Sequence, residues 1–140
     1  MNKTEIAENY KKGLISSVNA IITRATVAMT SNGVKALVEF NYFEDMGQDC
    51  KPEFELREDK ILIDIDKLDK FVKLFLIDGS PAEFPTIKFI TKLWELDDIK
   101  GKYVRLFYYH TPEEEMHELS DPTELVAIKH IYDETYTFYV

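Results

Sequence analysis

The sequence predicts an α+β fold: one domain spanning 1–140 with a mostly antiparallel sheet, an N-terminal helix and a central helix after Asp66. Three observations predict it. Runs of β-branched and aromatic residues recur with turn residues between them, helical apolar spacing is confined to short stretches, and strand and helix do not alternate as they would around a parallel sheet. At 140 residues and 45% hydrophobic, with nine Phe and eight Tyr, the chain has material for one core and too little for a second full domain.

The opening segment carries Ile6, Tyr10, Leu14, Val18 and Ile21 near helical spacing, with Asn2 or Thr4 available as the cap, so a helix is expected to stop between Ser16 and Ile22. Gly13 weakens its interior. From Thr23 the residues become β-branched, and Ser31-Asn32-Gly33 supplies a turn before the run 34–43, which predicts a hairpin. In that run Val34, Ala36, Val38, Phe40 and Tyr42 share one face. Leu37 and Phe43 leave the other face incompletely polar, which suits a strand covered on both sides near its end. Residues 44–52 read as a loop.

Residues 54–65 predict another hairpin turning at Glu58-Asp59, with Ile61, Ile63 and Ile65 inward and Leu62 and Asp64 outward. The clearest helix follows. Asp66 is its expected cap, and Leu68, Phe71, Val72, Phe75 and Leu76 form its apolar stripe. The segment 78–81 stops it, and 84–96 is expected to be a strand through Thr91. Residues 102–110 read as a strand with Val104, Leu106 and Tyr108 toward the core. Thr111, Pro112 and Glu114 suit the cap, first position and capping-box acid of a short helix over 111–119. Two final strands, 124–132 and 135–140, predict a terminal hairpin or a bent sheet edge.

The formal charge is −9, from 17 basic and 26 acidic side chains, and the excess accumulates toward the C-terminus. Residues 1–51 carry six of each sign, 52–100 eight basic and twelve acidic, and 101–140 three and eight. Such a surface attracts basic partners and repels nucleic-acid backbones, so direct nucleic-acid binding is not expected. Cys50 is the only cysteine, which excludes an intrachain disulfide and suits a reducing cytoplasm. Neither a signal-peptide pattern nor an apolar run of membrane-spanning length is present, so a soluble cytoplasmic protein is expected, with no membrane association.

The familiar chemical signatures are missing. His110, Glu114 and His117 are spaced to approach a common cation, but they do not form HExxH and fall in an acidic run, so a solvated helix and no metal are expected. His130 shares a strand face with Ile128 and Tyr132, beside no sequence-evident nucleophile, and a structural role is expected. Asp64 and Asp66 alternate onto one side of a strand end, and Asp97-Asp98 form a second acidic pair. A small metal-dependent nuclease or hydrolase on such pairs is the enzyme alternative. Gly79 and Gly101 lack phosphate-loop spacing and read as turn glycines, and no G-x-S-x-G elbow occurs. No catalytic residue and no cofactor is assigned.

The expected site is therefore a partner-binding surface. Tyr103, Arg105, Phe107 and Tyr109 share the non-core face of one strand, and Tyr136 and Phe138 lie near the C-terminus. Tyr and Arg are common interface anchors. The acidic set Glu113, Glu114, Glu115, Glu118, Asp121 and Glu124, with Met116 beside it, imitates the charge pattern of a phosphate backbone. Size, acidity and simple organisation resemble small accessory proteins of phages and mobile elements, a likeness of composition that transfers no residue. The expectation is a noncatalytic protein-binding module, an inhibitor occupying the basic nucleic-acid-binding surface of a host protein. The further alternative is a self-associating subunit of a larger assembly.

Overall fold

In the computed structural model, residues 1–45, 54–75, 99–110, 124–131 and 136–140 are described. They form a six-stranded, wholly antiparallel sheet in the order β3-β2-β1-β4-β5-β6, with a helix at the N-terminus and a second after β3. The expected α+β class with its antiparallel sheet and two helices is what the chain adopts. Residues 46–53, 76–98, 111–123 and 132–135 lie outside the described residues, and with them the expectations for Cys50, Leu76, the turn at 78–81, the strand at 84–96, Asp97-Asp98 and the helix at 111–119.

Helix α1 spans Lys3–Lys11 and is capped by Asn2, whose side-chain oxygen accepts the Glu5 backbone N–H at 2.8 Å. It ends well before Ser16. Gly13 takes a positive φ of +75° just beyond the cap at Lys12, a conformation that favours glycine and releases the chain from the helix. Leu14, Val18 and Ile21, expected on the helix, instead follow that exit, and β1 begins at Ile15.

Strand β1, Ile15–Thr30, is sixteen residues long and pairs with β2, Gly33–Asp45, through a two-residue turn at Ser31-Asn32. Gly33 supplies the positive φ of +113° there, and the Thr30 hydroxyl donates to the Gly33 carbonyl at 2.8 Å. The β1/β2 register slips between Ile22 and Arg24, which makes Thr23 the extra residue of a bulge. The slip changes the alternation so that Ala20 and Ile22 before it and Ala25 after it all reach the core.

Strand β3 runs unbroken over Phe54–Asp64 beside β2, which corrects the expected hairpin at Glu58-Asp59. A charged stretch suits an edge strand, whose outer side meets water and whose charges discourage pairing with another chain. Ile61 and Ile63 point inward as expected, whereas Ile65 opens helix α2, Ile65–Val72, and is 37% exposed. Asp66 thus lies in the first turn rather than at the cap, still favourable to the helix dipole. A short 3₁₀ turn, Lys73–Phe75, continues the helix.

Strands β4, Tyr103–Tyr109, β5, Glu124–His130, and β6, Thr137–Tyr139, complete the sheet, and β5/β6 is the expected terminal hairpin. Leu68, Phe71, Val72 and Phe75 cover one face, against Val38, Phe40, Leu106 and Ile128. Phe71 meets the rings of Phe75 and Phe138 edge-on at 5.6 and 5.2 Å between centroids. His130 is buried on this face beside Phe75, with ring centroids 6.3 Å apart, a packed position of the kind expected for it. Among the described residues, no helix is long and apolar enough to cross a membrane.

Candidate functional site

The face of the sheet turned away from α2 is where the described surface departs from an ordinary polar exterior. Antiparallel pairing places directly opposed residues on the same face, so the register lays out its rows. On the β2/β3 side Phe43 opposes Leu56, and Phe54 precedes Leu56 by two residues on β3, on the same face. These side chains are 67%, 51% and 65% exposed. Glu58 is exposed two residues beyond Leu56 on the same face, whereas Glu55 and Arg57 alternate onto the other side of β3. The Arg57 guanidinium lies 3.3 Å from Glu55.

On the other side of β1 the same face changes sign. One row runs Asn19, Arg105, Lys129, Thr137 across β1, β4, β5 and β6, and the next runs Ser17, Phe107, Ala127, Tyr139. Helix α1 overhangs these rows and encloses with them a groove of about 560 Å³. Residues 3, 6, 7, 10 and 11 line it from above, the i, i+3, i+4, i+7, i+8 face of the helix. Yet α1 buries none of its residues. Arg105 Nε donates to the Asn19 side-chain oxygen at 3.4 Å, and the Lys129 ammonium lies 5.9 Å from the centre of the Phe107 ring.

Of the residues expected at the partner surface, Tyr103, Arg105, Phe107 and Tyr109 do share the face away from the core, with Tyr103 52% exposed. Glu124 is exposed at the start of β5. Phe138 is not available to a partner: it is 4% exposed and packed against Phe71, while Tyr139 occupies the uncovered face. Tyr136 turns toward α2, where its hydroxyl donates to the Lys70 carbonyl at 2.7 Å. Glu113, Glu114, Glu115, Met116, Glu118 and Asp121 lie outside the described residues.

Asp64 and Asp66 do not converge. Asp64 ends β3 and pairs with Lys35 at 3.0 Å, whereas Asp66 has already entered the helix, so the strand alternation that would align them is lost. Among the described residues no group of three His, Cys, Asp or Glu side chains is arranged to hold a metal ion. Ser16 and His110, 94 positions apart, are hydrogen-bonded through hydroxyl and imidazole at the exposed end of β1. Gly101 takes its turn role with φ +86°.

On the covered side Tyr108 donates its phenolic proton to Asp59 at 2.8 Å, and its ring lies 6.0 Å from that of Tyr42. Burial, followed by the Asp59 hydrogen bond and charge, holds the Tyr108 hydroxyl far above the ordinary phenol range, so it remains a neutral donor. The sequence carried only partial traces of the Phe43–Phe54–Leu56 patch and the α1 groove. The patch left one in the apolar Leu37 and Phe43 on the nominally polar side of β2, and the groove left another in Arg105 and Phe107, expected at a partner surface without the helix that overhangs them. No family model, curated protein or solved structure matches the chain.

Proposed function

We propose that this chain is a noncatalytic protein-binding module whose partner is a basic protein docking on the β2/β3 half of the uncovered sheet face. The observation that carries the reading is the contiguous triplet Phe43, Leu56 and Phe54, each more than half exposed and set in register on one face. Solvent-facing aromatic and leucine side chains gathered at one place suit an interface core better than an isolated solvated fold. Exposed Glu58 on the same face, on a chain of net charge −9, favours a cationic partner and would speed its approach. A cationic surface is what nucleic-acid-processing proteins present, and occupation of it would make the module an inhibitor.

The test is affinity capture from a nuclease-treated lysate, comparing the parent chain with F43S/L56S and with E58K. Selective recovery of one basic protein, lost with both variants while their thermal midpoints stay near the parent's, supports the reading. Equal recovery by all three proteins overturns it. Sedimentation at several concentrations separates the competing assembly model: mass that rises with concentration, and falls back with F43S/L56S, would make a second copy the occupant.

A further inference from the structure

We infer that the groove beneath α1 is a ligand site for a mononucleotide, a planar base carrying a phosphate. The inference is independent of the protein-docking reading, because it uses the opposite half of the uncovered face and different side chains.

Three features converge on that ligand. The first is charge. On a chain of net charge −9, Lys3 and Lys11 from the helix and Arg105 and Lys129 from the sheet line a single groove, and no carboxylate stands among its described lining residues. Arg105 and Lys129 are direct cross-strand partners, which sets two cationic side chains next to each other on one wall of the groove. A phosphate, with several oxygens to share among guanidinium, ammonium and hydroxyl donors, fits this row better than a single-point acceptor.

The second is the neighbouring row. Phe107 and Tyr139 stand on either side of Ala127, whose small side chain leaves the floor between them low. Two strand spacings, about 10 Å, separate the backbones that carry the rings. Tyr10 closes the groove from above and is 65% exposed. Aromatic side chains beside a cationic row are how proteins hold a nucleobase and its phosphate together. A volume near 560 Å³ is in the range of small-molecule sites.

The third is the helix. A nine-residue helix is shorter than the ~12–15 residues that hold helical structure unaided, and α1 buries no side chain in exchange. Its lining face, Ile6 and Tyr10 included, contacts a space rather than a core. A ligand in the groove gives that face something to pack on, so occupancy and helix order should rise together.

The experiment is calorimetric titration of the full chain with adenosine and uridine 5′-monophosphates, with adenosine, inorganic phosphate and an eight-nucleotide single strand as further arms. Hydrogen exchange of the α1 amides is followed in parallel. The expected result is saturable binding of both monophosphates, weakened about tenfold or more when the phosphate is removed and again in R105A/K129A. Slower α1 exchange with the nucleotide bound is also expected. K129A alone should give an intermediate loss, and both variants should keep the parent's thermal midpoint. Absence of binding at millimolar nucleotide overturns the inference, as does adenosine binding as tightly as its monophosphate. Phosphate alone matching the nucleotide removes the stacking half and overturns it too. Binding only of the oligonucleotide replaces the mononucleotide by a strand, and binding without a change in α1 exchange places the ligand elsewhere. Loss with R105A/K129A and retention with F43S/L56S separates this site from the protein-docking surface.

Discussion

Phe71 and Phe43 are the same side chain under opposite selection. Phe71 is fully buried between two other aromatic rings, while Phe43 is 67% exposed opposite another exposed apolar residue. One sheet thus has a face specified by packing and a face that packing does not explain. The difference predicts where mutation should harm the fold and where it should harm binding. Phe71→Ala removes a ring from a closed site and should cost about 3–5 kcal/mol, read as a lower urea midpoint. Phe43→Ala should lie within about 0.5 kcal/mol of the parent. Comparable losses in the two variants would break the division between the faces.

The next test concerns the rim of the covered face, where Tyr108 meets Asp59. Asp59→Ala leaves a buried phenol without its acceptor and should cost about 1–3 kcal/mol. Alkaline pH probes the same pair without mutation. The folded Tyr108 keeps its proton above the ordinary phenol pKa of about 10, whereas the unfolded chain loses its own. The native state then binds more protons, so this contribution to stability is full below that pH and declines above it. Because burial is the larger cause and Asp59 the smaller, Asp59→Asn should lessen the alkaline decline without abolishing it. A flat stability profile between pH 9 and 11, followed by thermal melts, would count against a buried neutral Tyr108.

The same division explains what the sequence made legible. Period-two alternation identified Ile61 and Ile63, and Val104, Leu106 and Tyr108, as core-facing and set Val38 and Phe40 on one face of their strand, because each contributes to one hydrophobic layer. The stripe of α2 was legible for the same reason, at period 3.6. Polar segments were harder. The charges at 57–60 imitate a turn, yet they suit an edge strand with water on one side. Gly13 marked the end of α1, but Val18 and Ile21 continued a helical spacing by coincidence. On β6, three residues are too few for alternation to distinguish Phe138 from Tyr139. The groove as a whole was illegible for a different reason: its cations are scattered from Lys3 to Lys129, and pairing rather than local sequence unites them.

A smaller effect tests whether α1 is held by its own local chemistry. Asn2→Ala removes the acceptor of the Glu5 N–H and should cost about 1 kcal/mol if the helix melts with the sheet. Since α1 buries no side chain, a different outcome is expected: the global melting midpoint changes little, while α1 amides exchange faster. Equal shifts in local exchange and global midpoint would mean that α1 belongs to the cooperative core.

The smallest expected effect belongs to the like-charge pair of the uncovered face. Arg105 and Lys129 face each other across β4 and β5, and that repulsion offsets part of what either contributes through its other contacts. Removing one charge should therefore move the stability of the unliganded chain by no more than a few tenths of a kcal/mol. Arg105→Gln is the informative change. It keeps a donor within reach of Asn19 and leaves the Lys129 ammonium over Phe107, whereas a change at Lys129 would remove that contact together with the repulsion. Salt identifies the cause, since a Coulombic difference between partly exposed groups should shrink as ionic strength rises toward 1 M. A residue that stability does not require, on a face that packing leaves open, is what a binding surface uses. Should Arg105→Gln instead destabilise the chain equally at low and high salt, the arginine is serving the sheet, and the β4–β6 half of the uncovered face loses its distinction from the covered one.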